Sequence, residues 1–105
     1  MARWDVYRNP GAQAATTPYL LDVQSDLLDA LDTRIVIPLR SLAHFPAMPL
    51  PTRLTPVFRI GGADYMLETP KMAAVPARIL RGPVASLGTE HLAITGALDF
   101  LFQGF

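Results

Sequence analysis

The apolar residues near the carboxyl end of the sequence recur with the period of an α-helix. Counted from Thr89, they are Ile94, Ala97, Leu98, Leu101, Phe102 and Phe105. At 3.6 residues per turn these positions share one face. Thr89 suits the cap position, and Glu90 suits the positive end of the helix dipole. We therefore predict one helix from Thr89 that packs an apolar stripe against the rest of the chain.

The segments before this helix have the patterns of short strands. Alternating or β-branched apolar residues predict strands in WDVY, YLLDVQ, RIVIPL and AVPARILRGPVASL, and a hairpin in VFRIGGADYMLET. Gly61 and Gly62 supply the positive φ angles of a tight hairpin turn. Pro38 lacks an N–H group and predicts a sheet edge or a bulge. In the strand after the hairpin, Val75, Ala77 and Ile79 are expected on one face.

The connections between these strands are turns and two long loops. SDLLDALD has helical spacing but is too short for an independent helix, so it predicts a turn or a single helical turn capped by Ser25 or Asp26. RNPGAQAATTP predicts one loop, and RSLAHFPAMPLPTRLTP, with its four prolines, predicts a longer one. We expect a single domain over residues 1–105, mostly β and antiparallel, closed by the C-terminal α-helix.

Composition excludes several classes of protein. The chain has no cysteine, which excludes disulfide scaffolds and thiolate zinc sites. Nine basic residues balance nine acidic ones, so net charge gives no general attraction to nucleic acid. No apolar run approaches the ~20 residues of a membrane span, and the N-terminal segment has no apolar signal core. We therefore expect a cytoplasmic protein without a membrane partner.

The sequence contains no convincing catalytic or metal-binding constellation. His44 and His91 lie in unrelated segments, and the glycines of IGGADY lack the Lys-Ser/Thr pair of a phosphate-binding loop. We predict no metal and no cofactor. An acidic series is formed by Asp22, Asp26, Asp29 and Asp32. Paired carboxylates of this kind serve in acid–base catalysis, but we favour a solvated turn surface.

Three long segments of the sequence carry a family resemblance. They are YLLDVQSDLLDALDTRIVIPL, PVFRIGGADYMLETPKMAAVPARIL and GALDFLFQGF. In order and length they resemble the second and third strands, the central hairpin with its Met-Ala-x-Val-Pro strand, and the terminal helix of the CcdB family of bacterial toxins. The resemblance implies an SH3-like barrel of the CcdB/MazF toxin type with a C-terminal α-helix, and a homodimer.

The same resemblance implies a function that rests on binding. CcdB toxins belong to type II toxin–antitoxin modules and are not enzymes. They bind the A subunit of DNA gyrase and trap gyrase on cleaved DNA. A cognate CcdA-like antitoxin releases gyrase and represses the operon together with the toxin. This protein is therefore expected to meet DNA only indirectly, through that antitoxin.

The resemblance also assigns residues to the two partners. The family's gyrase-binding positions fall here on Asp26, Leu27, Leu28, Asp99, Phe102, Gln103, Gly104 and Phe105. Its antitoxin-binding loops fall on residues 8–17 and 40–53, with Arg8, Asn9, Arg40, Ser41, Leu42 and His44 as the candidate contacts. The family's terminal pattern is tryptophan, glycine and an apolar residue, and Gln103 stands here in the tryptophan position.

Three readings of the function stay open on the sequence. The first is a gyrase-poisoning toxin. The second is a MazF-like ribonuclease on the same fold, which would need a basic groove and acid–base residues in the sheet. The third is a non-toxic or weakened relative that acts mainly as a co-repressor with its antitoxin, since the tryptophan is replaced. Phe102 and Phe105 either complete the core stripe or face a partner, and Gly104 is expected to end the helix.

Overall fold

The computed structural model describes residues 2–43 and 50–105. In these ranges the strands are β1 Asp5–Arg8, β2 Tyr19–Asp22, β3 Thr33–Ser41, β4 Val57–Ile60, β5 Ala63–Leu67, β6 Ala73–Pro76 and β7 Ala85–Ser86, and the helix is α1 His91–Gln103. Single 3₁₀ turns cover Asp26–Leu28, Thr69–Lys71, Ala77–Ile79 and Gly88–Glu90. The predicted fold class is confirmed: a nearly closed, barrel-like sheet is followed by one C-terminal helix.

Strand β3 is the centre of the sheet, whose order is β4-β5-β3-β2-β1-β7 with every pairing antiparallel. One side of β3 pairs with β2, and the other side pairs first with β6 and then with β5. Pro38 lies where the partner changes from β6 to β5, and its carbonyl accepts the N–H of Glu68. The missing N–H of Pro38 therefore faces a break between two partner strands.

Alternation along the strands divides the apolar residues between two clusters. Neighbours such as Leu20 and Leu21, or Val36 and Ile37, point to opposite faces of the sheet. The main cluster, which includes Ile94 and Ala97 of α1, is formed by Val6, Leu21, Val23, Ile37, Leu39, Phe58, Ile60, Leu67, Leu87, Ile94 and Ala97. The smaller cluster lies on the other face and is formed by Tyr7, Leu20, Val36 and Leu80.

Two local predictions are confirmed by the backbone. Gly61 and Gly62 have φ angles of 59° and 86° and connect β4 to β5 as a two-residue hairpin. Residues 26–28 form one 3₁₀ turn, and the hydroxyl of Ser25 accepts the N–H of Leu27 as its cap. Both features depend on residues close together in sequence, which is why the sequence predicts them.

Two other local predictions are wrong. Thr89 does not cap α1, because residues 88–90 form a 3₁₀ turn in which the N–H of Glu90 bonds the carbonyl of Leu87, and α1 begins only at His91. The strand predicted through Ile79 ends at Pro76. The N–H of Ala77 still bonds the carbonyl of Asp32, but the carbonyl of Ala77 accepts the N–H of Leu80 and so closes another 3₁₀ turn.

Candidate partner-binding surface

The apolar stripe of α1 is buried only in the first part of the helix. Ile94 and Ala97 are fully buried and Leu98 is half-buried, whereas Phe102 and Phe105 are each 70% exposed. The last turn therefore extends past the core that the sheet provides. The sequence left open whether these phenylalanines complete the core stripe or face a partner. Their exposure in the single chain supports the second role.

Gly104 ends α1 as predicted. Its φ angle is 80°, in the left-handed region, and its N–H bonds the carbonyl of Phe100 at 2.9 Å. A glycine adopts this conformation without the steric cost that a Cβ atom would impose. Gly104 thereby sets the direction in which Phe105 leaves the helix, and we call residues 102–105 the helix end.

The second exposed apolar group is the Asp26–Leu28 turn, which we call the leucine turn. Leu27 is 94% exposed and Leu28 is 50% exposed. The turn is closed by short-range bonds, from Leu28 N–H to the Ser25 carbonyl and from Asp29 N–H to the Asp26 carbonyl. None of its residues is buried, so packing does not determine where Leu27 points.

Polar groups of the segments beside it hold the leucine turn in place. The side-chain amide of Gln24 donates to the carbonyls of Leu28 and Thr33, and its oxygen accepts the N–H of Ile35. The carboxylate of Asp26 accepts the N–H of Arg3 at 2.8 Å. These bonds connect the two ends of the turn to Gln24, to β3 and to the N-terminal segment.

Arg34 lies at the base of the leucine turn with only 1% of its side chain exposed. Its Nη2 is 2.7 Å from Oδ2 of the fully buried Asp22, and its Nε donates to the same oxygen at 2.9 Å. Its Nη1 is 3.2 Å from Oδ1 of Asp29, and its Nη2 is 3.6 Å from Oδ1 of Asp26. One guanidinium therefore joins three of the four aspartates of the acidic series.

The prediction that the acidic series forms a solvated turn surface is wrong for Asp22. Burial raises the pKa of Asp22 above its ordinary value, while the hydrogen bonds from Arg34 and from the Gln24 N–H oppose that shift. Burial alone would lower the pKa of Arg34, but the hydrogen bond and charge of Asp22 raise it. The pair is an internal structural element and is out of reach of a macromolecular substrate.

Arg34 is a residue that our sequence analysis missed. The available signal was a charged residue inside each of two apolar strands, Asp22 in YLLD and Arg34 in TRIVIPL. A charge inside a buried strand requires a partner of opposite charge. Strand β2 pairs antiparallel with β3, with Asp22 opposite Val36, two positions along β3 from Arg34.

The predicted antitoxin-binding residues lie on both sides of one backbone contact. The N–H of Ser41 bonds the carbonyl of Thr16, which brings the first loop against the end of β3. Arg8 is exposed at the end of β1, and the side chain of Asn9 closes the first loop by donating to the carbonyl of Thr17. Leu42 is half-buried.

The placement of three of these residues in a loop is wrong, and a fourth cannot be placed. Arg8 is the last residue of strand β1. Arg40 and Ser41 belong to strand β3, because β5 pairs with them through Met66 and Tyr65. His44 lies outside the described residues. The segment with loop structure in this region therefore starts after Ser41.

The eight predicted gyrase-binding residues occupy two groups with different neighbours. Asp26, Leu27 and Leu28 form the leucine turn, positioned by Arg3, Gln24 and Arg34. Asp99, Phe102 and Gln103 lie in the last two turns of α1, and Gly104 and Phe105 follow it. The helix packs against the 3₁₀ turns at residues 69–71 and 88–90. All eight are exposed.

Metal binding and membrane insertion find no support in the described part of the chain. Residues 2–43 and 50–105 contain no group of three His, Cys, Asp or Glu side chains placed to hold a metal ion. Within the same ranges, no helix has the length and apolar character needed to cross a membrane. His91 is exposed, with its Nδ1 2.9 Å from the carbonyl oxygen of Gly88.

Comparison with known protein families gives a match over nearly the whole chain. The model of the family described as CcdB protein matches residues 3–104. The matched range contains the leucine turn, the Asp22–Arg34 pair and the helix end up to Gly104. Phe105 follows directly after it.

Proposed function

The chain belongs to the CcdB family, and on this premise we propose that it is a toxin that binds the A subunit of DNA gyrase and traps gyrase on cleaved DNA. The family is one of toxins from toxin–antitoxin modules. We further propose that a cognate antitoxin neutralises the protein and that it acts in the cytoplasm by binding, without catalysis of its own.

The observation that carries this proposal is the exposure of the apolar residues at the family's gyrase-binding positions. Leu27 is almost fully exposed, and Phe102 and Phe105 have most of their surface in water. Large apolar side chains gain free energy when a partner buries them, and such residues dominate binding interfaces. Asp99 and Gln103 flank the phenylalanines and supply the polar rim of such a contact.

A homodimer would present each of these residues twice. A two-fold axis near the end of α1 would bring Phe105 and its symmetry mate together in one apolar patch. Burial of each large apolar side chain contributes about 1.5–3 kcal/mol. Two copies of a few such contacts support useful affinity even after the cost of association. We therefore propose that the dimer is the active species.

For the antitoxin we propose the surface around the Ser41–Thr16 backbone bond. There the first loop meets the end of β3, so a single bound segment could contact both. Arg8, Arg40 and Leu42 would contribute a basic and partly apolar surface to it. Asn9 would keep the first loop in shape through its bond to Thr17.

The ribonuclease alternative gains no support from the observed acid–base pairs. The shortest arginine–carboxylate contact in the described residues is Arg34–Asp22, which is buried and engaged in structure. The exposed pair Arg59–Asp64 is separated by 3.5 Å on the β4–β5 hairpin. The weakened-relative alternative differs from our proposal in that the protein no longer poisons gyrase effectively and acts mainly as a co-repressor with its antitoxin.

The test is a gyrase cleavage assay with purified protein, gyrase, ATP and supercoiled plasmid, paired with a binding assay on a gyrase A fragment. We expect linear DNA to accumulate with dose. Absence of both cleavage and fragment binding would refute the proposal. In that case, antitoxin binding by the same sample would favour the weakened relative, and cleavage of RNA would favour the ribonuclease.

We predict that Gly104→Ala weakens gyrase binding with little effect on the fold. The added Cβ would meet no atom within 4 Å, so the cost arises from the positive φ angle alone, about 1 kcal/mol. The helix end relieves this strain by changing conformation, which redirects Phe105. Fragment binding and urea unfolding of the same sample measure the two effects. Unchanged binding would mean that the geometry of the helix end is unimportant.

A further inference from the structure

We infer that Arg34 is a positioning residue for the leucine turn: its buried guanidinium holds Asp26 and Asp29 so that Leu27 and Leu28 are presented in a fixed arrangement. The identity of the partner that meets these leucines rests on the proposed function. The ordering of the turn by Arg34 does not.

The geometry divides the guanidinium between the core and the turn. Nε and Nη2 bond the buried carboxylate of Asp22. Nη2 also donates to the carbonyl of Gln24 at 3.3 Å. Nη1 reaches outward to Asp29, whose side chain is mostly exposed. Asp26, on the other side of the turn, lies within ion-pair distance of Nη2. Arg34 is thus held by Asp22 and Gln24 in the interior, and it binds the aspartates of the turn at the surface.

This arrangement makes the contact with Asp29 more effective than an ordinary surface ion pair. Exposed pairs are weak partly because two long side chains must both lose conformational freedom. Arg34 has already lost its freedom to the Asp22 and Gln24 contacts, so only the short Asp29 side chain needs to be ordered. A planar guanidinium also fixes the direction of each of its bonds.

The leucine turn depends on such anchors because it has few others. It consists of a single 3₁₀ turn, which has poorer hydrogen-bond geometry than an α-helix, and it buries none of its residues. Besides the Ser25 cap and the short-range backbone bonds of the turn, its other described connections are the Gln24 amide and the Arg3 N–H. A turn that is already ordered before it meets a partner loses little further conformational entropy on binding.

The test compares Asp29→Ala with the matched control Asp32→Ala. Asp29 touches Arg34 without taking part in the Asp22–Arg34 pair, so its removal leaves the buried pair in place. Asp32 is the next member of the acidic series, and it is exposed. Its backbone carbonyl bonds Ala77, and this bond is retained in alanine. Both variants remove one negative charge from the same region.

The readouts are backbone ¹⁵N order parameters and affinity for the gyrase A fragment. In Asp29→Ala we expect lower order parameters at Leu27 and Leu28, with Gly61 and Gly62 unchanged as the internal reference. We expect affinity to fall about three- to fivefold. Asp32→Ala should leave both readouts at the parent values.

The inference is overturned if the order parameters of the leucine turn do not fall in Asp29→Ala, or if they fall equally in Asp32→Ala. It is also overturned if the turn loosens while affinity for the fragment stays the same. Failure of the parent protein to bind the fragment would instead refute the proposed function. The order parameters would then still support or overturn the role of Arg34 in ordering the turn.

Discussion

Replacement of Phe105 by alanine is expected to abolish gyrase poisoning and to weaken binding of the gyrase A fragment by about 100-fold or more. Burial of one phenylalanine contributes about 1.5–3 kcal/mol, and a dimer would bury two copies at once. The sum corresponds to roughly 10²- to 10⁴-fold in affinity. Since the Phe105 side chain is mostly exposed in the free chain, the free energy of unfolding measured in urea should change by less than about 0.5 kcal/mol.

The matched control for this prediction is Leu92→Ala. Leu92 is an apolar residue on the same helix and is 76% exposed, but it lies in the first turn of α1, away from the helix end. Its truncation should leave the dose that gives linear DNA unchanged. A Phe105→Ala protein that linearises plasmid at the parent's dose would contradict the assignment of the helix end.

The largest effect on stability is expected from Arg34→Ala, which should lower the free energy of unfolding by about 3–5 kcal/mol. The substitution leaves the carboxylate of Asp22 buried without its partner, and removal of one member of a buried ion pair costs this much. Urea unfolding followed by circular dichroism measures the change. Replacement of both members, in Asp22→Leu with Arg34→Met, should recover much of the loss, since no buried charge then remains.

The loss of unfolding free energy in Arg34→Ala is expected to depend on pH. Without Arg34, the pKa of Asp22 should rise further above its ordinary value of 3.8, since only the bond from the Gln24 N–H then opposes the effect of burial. A carboxyl group whose pKa is raised by folding favours the folded state at low pH and loses that contribution as pH rises through the raised pKa. The deficit of Arg34→Ala relative to the parent should therefore shrink as pH is lowered from about 7 towards 4.

The matched control for stability is Arg59→Ala, at the surface ion pair with Asp64. The side chains of both residues in this pair are more than half exposed. Surface ion pairs of this kind contribute about 0–1 kcal/mol to the free energy of unfolding. Equal urea midpoints for Arg34→Ala and Arg59→Ala would contradict the structural role of the buried pair. So would a deficit of Arg34→Ala that does not depend on pH.

Features set by neighbours in the sequence were predicted correctly from the sequence itself. The Gly61 and Gly62 hairpin, the left-handed Gly104 and the capped turn at residues 26–28 each depend on backbone sterics or on bonds that span a few residues; the structure decided for Ser25 over Asp26 as the cap. Most strand positions follow from the alternation of apolar residues. The family resemblance supplied the eight gyrase-binding positions, which no local pattern could have identified, and their role remains a prediction.

Features that depend on distant residues were decided only by the tertiary structure. Asp22 and Arg34 are twelve positions apart. Only the pairing of β2 with β3 brings their charges together, in a place where both are buried away from water. The stripe of α1 continues to Phe105 in the sequence, yet its burial falls from complete at Ala97 to partial at Leu101, and Phe105 is exposed. Helical periodicity specifies which residues share a face, because that follows from backbone geometry. The extent of a core depends on the area of the sheet beneath the helix, which no single segment encodes.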